Sequence, residues 1–97
     1  MKVFIARQAR SDIFAIGQYI AGENIGAADR MMDALEARCA GLKIFPDRFL
    51  VAYPGPNPVR RLSEGAYNIF YTVRADHVRI ERGLHSALDI GEDILSV

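Results

Sequence analysis

The sequence predicts an α+β fold with the element order β-α-α-β-β-β, in which a helical hairpin packs on one face of a small, mostly antiparallel sheet. Two observations predict it. Apolar residues recur at helical spacing in the first half of the chain and alternate with polar residues in the second half. All four prolines lie between positions 46 and 58 and separate the two halves. A chain of 97 residues is expected to form one domain, spanning 1–97.

The N-terminal half begins with a short strand and continues into a helix. The segment Val3 to Ala6 is rich in β-branched and aromatic residues and has a cation at each end, which is typical of a strand. Four apolar residues then recur at spacings of four, three and four, and fall within an arc of about 60° on a helix. They are Ala9, Ile13, Ile16 and Ile20.

The second predicted helix is the most regular element. Gly22 to Gly26 mark a tight connection, and Asn24 within it is a suitable N-cap. Five apolar residues then lie within an arc of about 80° on a helix. They are Ala28, Met31, Leu35, Cys39 and Leu42. Pro46 is predicted to end the helix, because the residue before a proline is disfavoured in the α region. The short connection predicts an antiparallel hairpin.

The C-terminal half is predicted to form the sheet. The run Tyr53 to Pro58 is expected to be a surface loop, because its three prolines lack backbone donors. Three predicted strands follow: Val59–Ser63, Tyr67–Arg74 and His77–Gly83. Apolar residues on both faces of the middle strand predict a central position. A short helix near Leu88 to Leu95 is the last candidate element. The sheet face away from the helices is expected to be at least partly open and to carry the functional site.

The charge balance argues against one class of function. Twelve Lys and Arg residues balance twelve Asp and Glu residues, whereas nucleic-acid-binding domains are typically strongly basic. Direct nucleic-acid binding by the chain alone is therefore not expected. Ten of the twelve cations are arginines, whose planar guanidinium groups suit carboxylates, phosphates and protein interfaces.

Neither a metal nor a cofactor is expected. Cys39 is the only cysteine, so no internal disulfide or cysteine-based metal site can form. The two histidines, His77 and His85, lack the spacing of a zinc motif. The longest uninterrupted apolar stretch, Phe49 to Tyr53, is too short to span a bilayer. Arg7 interrupts any signal-peptide core, so we expect a cytoplasmic protein.

A set of short motifs extends along nearly the whole chain. They are Asp12-Ile13 and Tyr19-Ile20-Ala21, then Ala27-Ala28-Asp29-Arg30, Phe45-Pro46, Arg60-Arg61-Leu62 and Tyr67 to Val73, and finally Leu84-His85-Ser86-Ala87 followed by Asp89. Their order and spacing resemble those of the ParE/RelE toxins of bacterial type II toxin–antitoxin modules. The resemblance implies the β-α-α-β-β-β fold. It also implies a hetero-oligomer with a small antitoxin, which wraps its C-terminal segment over the toxin surface.

Two branches of this superfamily have different targets. ParE-like members inhibit DNA gyrase, whereas RelE-like members are ribosome-dependent mRNA endonucleases. The long helical hairpin and the Leu84-His85 ending resemble the ParE-like branch more closely. The chain departs from that branch at Leu88, where many members have arginine, and at Gly83, where an apolar β-branched residue is usual. Gly83 predicts a bulge or a loosened last strand, and either change would alter target choice or weaken the toxin.

An endonuclease would need a proton-transfer group and cations for the phosphate. His85 is the candidate for proton transfer, with Arg82, Arg60 and Arg61 as candidates for the phosphate. Strand alternation sends Arg60 and Arg61 to opposite faces, so at most one of them can join a single site. The chain lacks the lysines and the C-terminal tyrosine that RelE-like enzymes use. A plainer interpretation makes His85 a strand-end residue that is held by a neighbour such as Asp89.

The favoured interpretation is a non-catalytic toxin that binds its target and its antitoxin through the surface. Phe14 lies off the buried stripe of the first helix. It is either a singly exposed residue or, in the favoured interpretation, part of one apolar patch with Phe49, Leu50 and Val51. The full set of candidate binding residues is Phe14, Phe49, Leu50, Arg60, Arg61, Arg82, His85 and Asp89. The predicted function is gyrase inhibition relieved by an antitoxin. The alternatives are an mRNA endonuclease and an inactive toxin that acts only within an antitoxin–repressor complex.

Overall fold

Two helices pack on one face of a five-stranded mixed sheet in the computed structural model, which describes residues 1–87. The elements are β1 (Lys2–Ile5), α1 (Arg7–Ala21), α2 (Ile25–Gly41), a 3-10 turn (Pro46–Arg48), β2 (Val51–Tyr53), β3 (Val59–Glu64), β4 (Tyr67–Val73) and β5 (His77–His85). The strand order is β1-β5-β4-β3-β2. β1 pairs parallel with β5, and the other neighbours pair antiparallel. The predicted α+β fold class is confirmed.

The helical hairpin forms as its sequence predicts, except at its end. Asn24 caps α2, because its Oδ1 accepts a hydrogen bond from the Ala27 amide at 2.9 Å. The helix ends at Gly41 rather than at Pro46. The amides of Leu42, Lys43 and Ile44 donate to the carbonyls three residues earlier. These are 3-10-type hydrogen bonds, so the α-helical pattern ends before Pro46. The helix predicted near Leu88 to Leu95 lies outside the described residues.

The strand β2 is an element that the sequence does not predict. Its three residues precede Pro54, so their backbone donors are intact, and Val51 pairs with Arg60 of β3. A register shift separates that pair from the next one, Tyr53 with Val59. The predicted loop is therefore wrong only at its first residue, Tyr53, which pairs with the edge of β3.

The central strand divides the sheet into a helix-covered face and a second face. β4 is the third of five strands, as predicted. Its Ile69 and Tyr71 belong to the core under the helices, while Phe70 and Thr72 are buried on the opposite side. On that second face Arg61 is exposed, so the face is open in part.

The core joins both helices to three strands. Its fully buried members from the helices are Ala9, Leu35, Cys39 and Leu42, and those from the strands are Leu62, Ile69, Tyr71, Val78 and Ile80. These are the apolar stripes that the helical spacing and strand alternation predict. The hydrophobic effect therefore holds α1 against both α2 and β5, and the core side chains of α2 and of the strands belong to one cluster.

We expect Leu42→Ala to lower the free energy of unfolding by about 2–5 kcal/mol, because Leu42 is 1% exposed and its removal leaves a cavity in the core. The matched control is Leu50→Ala, since Leu50 is 62% exposed and its truncation is expected to cost less than about 0.5 kcal/mol. Chemical denaturation of both variants measures the difference. Equal losses would contradict this account of the core.

Candidate functional site

The end of β5 extends beyond its parallel neighbour. β1 pairs with β5 only from Lys2 opposite His77 to Ile5 opposite Ile80. The Ala6 amide donates the last bond of this pairing to the Ile80 carbonyl at 2.9 Å, and the chain then enters α1. Beyond Ile80, β5 continues to His85 with β4 on one side and helix α1 on the other.

Asp12 of α1 takes the place of the strand that is missing there. Its Oδ2 accepts a hydrogen bond from the Gly83 amide at 3.0 Å and another from Arg82 Nε at 2.7 Å. Its Oδ1 accepts from Arg82 Nη2 at 3.2 Å. The pair is therefore two-pronged, which is the strong geometry for an arginine and a carboxylate. Arg82 is thus bound to α1. This is the arginine that the sequence analysis gave as a candidate phosphate ligand, and in the structure its guanidinium group binds the Asp12 carboxylate instead.

The Asp12–Arg82 pair is largely removed from water, with side-chain exposures of 8% and 17%. Burial alone raises the pKa of the Asp12 carboxyl. The hydrogen bonds from Arg82, Gly83 and Gln8, together with the Arg82 charge, outweigh burial and hold that pKa below its usual value of 3.8. Asp12 is therefore ionised at neutral pH, and its charge is matched within the fold.

A glycine at position 83 allows this close approach. A Cβ built there would lie 3.1 Å from Ile69 Cδ1 and 3.4 Å from Ile13 Cγ1, which is closer than side chains pack comfortably. The expected bulge occurs two residues earlier, since Phe70 pairs with Arg82 and Tyr71 pairs with Ile80, so that Glu81 is the extra residue. The expected loosening of the strand is wrong, because β5 remains paired with β4 through His85.

His85 is an exposed residue at the last rung of β5. Its Nδ1 accepts a hydrogen bond from the Ala87 amide at 3.0 Å, and its ring meets the Tyr67 ring edge-on with centroids 5.4 Å apart. These two contacts, with Ala87 and Tyr67, support the interpretation of His85 as a strand-end residue held by its neighbours. The predicted neighbour Asp89 lies outside them, as does the departure at Leu88.

A shallow groove separates α1 from the ends of β4 and β5. Its volume is about 300 Å³, and its walls are mostly apolar. The α1 wall comprises Asp12, Ala15, Ile16 and Tyr19, and the sheet wall comprises Tyr67, Gly83, Leu84 and His85. Sequence reasoning included Asp12 and Tyr19 only as parts of motifs. Their spacing of seven residues, on one side of the buried stripe, is the signal that places them on a common helix face.

Arg60 and Arg61 point to opposite faces of β3, as predicted. Arg60 lies opposite Tyr71 on the helix side, where its Nη1 donates to the carbonyls of Asp47 at 2.9 Å and Phe49 at 2.7 Å. The hydroxyl of Tyr71 donates to the Pro46 carbonyl at 2.7 Å, and burial raises the pKa of that phenol. Arg60 therefore anchors the chain before β2, while Arg61 is exposed on the other face.

The residues proposed for an endonuclease do not come together in the described part of the chain. His85 of β5 pairs with Tyr67 of β4, and Tyr67 pairs with Glu64 of β3. Arg60 lies four residues before Glu64 on β3. Two strand spacings and four residues along a strand separate the backbones by about 16 Å. Arg61 faces the opposite side, and Arg82 is paired with Asp12.

The predicted apolar patch is also divided. Phe14 lies 68% exposed on α1, which packs on β5, whereas Phe49 lies beside β2. Two strands lie between β5 and β2, and three strand spacings amount to about 14 Å. The Phe49 ring is half-buried under Arg38 and Arg48, whose guanidinium carbons lie 5.3 and 5.2 Å from its centroid. Phe14 and Leu50 thus remain candidates for two separate surfaces.

A second apolar groove lies beneath β1. Its volume is about 430 Å³. It is lined by Val3 and Ile5 of β1, by Ile13 of α1, and by Met32, Leu35, Glu36, Cys39 and Ala40 of α2. Burial raises the pKa of the Cys39 thiol to about 11, so this cysteine is a packing residue rather than a nucleophile.

Comparisons with known proteins establish what this fold is. A solved structure described as "Chromosomal ParDE TA system from P. aeruginosa" matches with a TM-score of 0.69 over 88% of this chain and 95% of that chain, at 19% identity. The two chains thus share a fold. A family model described as "ParE toxin of type II toxin-antitoxin system, parDE" matches residues 3–89. The chain belongs to this ParE toxin family, which implies an antitoxin partner. No curated protein sequence matches the chain.

The described residues contain neither a metal-binding group of side chains nor a membrane-spanning helix. Among residues 1–87, no three His, Cys, Asp or Glu side chains are grouped so that they could hold a metal ion. Within the same residues, no helix combines the length and the apolar character that a bilayer-spanning helix needs.

We expect the stabilising effect of Asp12 to depend on pH. Its pKa is lower in the folded chain than in the unfolded chain, so its contribution is present at neutral pH and is lost as the pH falls below about 3.8. Asp12→Asn should therefore lower the free energy of unfolding by about 1–3 kcal/mol at pH 7, and by clearly less at pH 3.

Chemical denaturation of the wild type and of Asp12→Asn at pH 7 and at pH 3 measures the loss in free energy of unfolding at each pH. Asp33→Asn, which alters an exposed carboxylate on α2, controls for the loss of one negative charge. An Asp12→Asn deficit of the same size at pH 7 and pH 3 would show that the carboxylate charge contributes nothing.

Proposed function

We propose that this toxin inhibits DNA gyrase by binding it, without catalysis, in the bacterial cytoplasm, and that a cognate antitoxin neutralises it. The observation that carries the proposal is the membership of the ParE toxin family over residues 3–89. The dispersal of His85, Arg60 and Arg61 supports a non-catalytic mechanism, since general acid–base catalysis requires its groups within hydrogen-bonding reach of the reacting atoms.

The groove between α1 and the end of β5 has the character of a target-contacting surface. Tyr19 is 69% exposed on one wall, and His85 is exposed on the other. Aromatic side chains contribute strongly to protein interfaces because they bury a large area at a low cost in conformational entropy. The Asp12–Arg82 pair holds the two walls together, so the surface is formed before the target binds.

We expect Tyr19→Ala to raise the concentration that half-inhibits gyrase supercoiling by at least tenfold, a loss of about 1.4 kcal/mol in binding. The matched control is Ile25→Ala, because Ile25 is equally exposed at 71% but lies at the start of α2. Both variants should unfold at the same denaturant concentration as the wild type. Unchanged supercoiling at an excess of wild-type toxin would refute gyrase as the target.

The same preparation tests the other two interpretations. Cleavage of ribosome-bound mRNA that disappears in His85→Ala would establish an endonuclease. Tight antitoxin binding without gyrase inhibition, mRNA cleavage or growth arrest would instead establish an inactive toxin within a repressor complex. Induced expression with and without the adjacent gene, scored for DNA damage and for translation arrest, compares these outcomes in cells.

The β1 edge of the sheet is the surface that best suits an antitoxin strand. β1 is a regular four-residue edge strand, whereas β2 at the other edge has three residues and a register shift. Val3 and Ile5 direct their side chains into the apolar groove beneath β1. An antitoxin segment with alternating apolar residues would pair with β1 and place its side chains in that groove.

The outward amides of β1 provide a test. The Ala6 amide bonds to Ile80 of β5, so by alternation the Val3 amide points away from β5. Val3→Pro should weaken binding of the antitoxin encoded by the adjacent gene at least tenfold, because it removes one donor from this edge. Gyrase inhibition should be unchanged. Leu50→Asp beside β2 is the matched variant, and a loss of antitoxin binding in that variant alone would move the antitoxin to the other edge.

A further inference from the structure

Within residues 1–87, the last part of β5 has a neighbouring strand, β4, on one side only. β5 has nine residues, and β1 covers only the first four, His77 to Ile80. The remaining segment, 81 to 85, contains a bulge at Glu81 and ends at His85. Strand ends that have a strand on one side only open readily, and they exchange their amide hydrogens faster than central strands.

Asp12 supplies the missing acceptor from a helix rather than from a strand. It lies on the second turn of α1, between the buried residues Ala9 and Ile16. Its carboxylate bonds at once to the backbone of Gly83 and to the side chain of Arg82, so it fixes two consecutive residues of β5. A helix side chain that replaces a strand in this way holds both the position and the orientation of the strand end.

The residues of the target-contacting groove depend on this connection. Gly83 and Asp12 form one end of the groove, while Tyr19 and His85 lie further along its two walls. Tyr19 is about 10 Å from Asp12 along the helix axis, and His85 is about 7 Å from Gly83 along the strand. A small change of angle at the Asp12 contact would therefore be magnified at the residues that face a partner.

We propose that Asp12 is a positioning residue for target inhibition: by replacing the missing β1 neighbour of Gly83 and pairing with Arg82, it sets the distance between Tyr19 and His85. This inference rests on the proposed function, because it concerns the groove that contacts gyrase. It goes beyond a contribution to stability, since the affected groove is distinct from the β1 edge on which the antitoxin is proposed to bind.

The test compares Asp12→Ala, Asp12→Asn and the control Asp33→Ala, each under conditions where circular dichroism shows a folded chain. Three quantities are measured: exchange of the Gly83 and His85 amide hydrogens by NMR, half-inhibition of gyrase supercoiling, and affinity for the antitoxin. Asp12→Ala should accelerate the Gly83 amide exchange by at least a hundredfold and weaken gyrase inhibition at least tenfold. Antitoxin affinity should change less than threefold.

The conservative variant separates positioning from simple loss of structure. Asp12→Asn retains an acceptor for the Gly83 amide, so it should restore part of the exchange protection and part of the inhibition. If Asp12→Ala exchanges rapidly at Gly83 yet inhibits gyrase like the wild type, or if antitoxin affinity falls by the same factor as inhibition, the positioning role is overturned.

Failure of the proposed function gives a different result. A wild-type toxin that leaves gyrase unaffected refutes the target but not the role of Asp12. Growth arrest on induced expression then replaces supercoiling as the readout for the same variants. Arrest that is equally strong in the wild type and in Asp12→Ala would overturn the inference, whereas arrest that is lost in Asp12→Ala and partly restored in Asp12→Asn would support it.

Discussion

The parallel pairing of β1 with β5 ends after four residues, and the arrangement of the functional surface follows from that limit. Because the chain leaves the sheet at Ala6, α1 begins beside the part of β5 that extends beyond β1. A longer β1 would have satisfied the Gly83 amide with a backbone carbonyl and would have kept α1 away. The short strand instead brings a helix side chain, Asp12, to the strand edge.

A charged pair in this position has a different energetic character from the rest of the core. The apolar core tolerates changes of shape provided that volume is conserved. The Asp12–Arg82 pair does not tolerate the loss of either partner, because the remaining charge would have few contacts to water. The pair and the bond from the Gly83 amide to Asp12 together join α1 to β5 at this level of the sheet.

The arginine bias of the sequence acquires a structural explanation from the same geometry. Arg82 joins α1 to β5, and Arg60 joins β3 to the carbonyls of Asp47 and Phe49. Arg38 joins α2 to the Ser63 carbonyl of β3. Each joins two parts of the chain, and Arg82 does so through two nitrogens of its guanidinium fork, which the single ammonium group of a lysine cannot match. The same three arginines form ion pairs with Glu64, Asp47 and Asp12, so part of the charge balance is met within the fold.

The sequence predicts the parts of this structure that depend on local patterns. Helical spacing and strand alternation identify both helices and the strands β1, β3, β4 and β5, because burial of one face constrains residues that are near one another in the chain. β2 is missed since three residues are too few to show a period. Strand order has no local signal, so Phe14 and Phe49 are wrongly assigned to one patch, and the contact between Asp12 and Arg82, 70 residues apart, is not foreseen.

The two proposed surfaces meet on one short stretch of chain. The β1 edge leads through Ala6 into α1, and Asp12 follows six residues later. Ile13, next to Asp12, lines the groove beneath β1, while Asp12 itself lines the groove at the end of β5. An antitoxin strand on β1 would therefore contact one side of α1 while the target contacts the other.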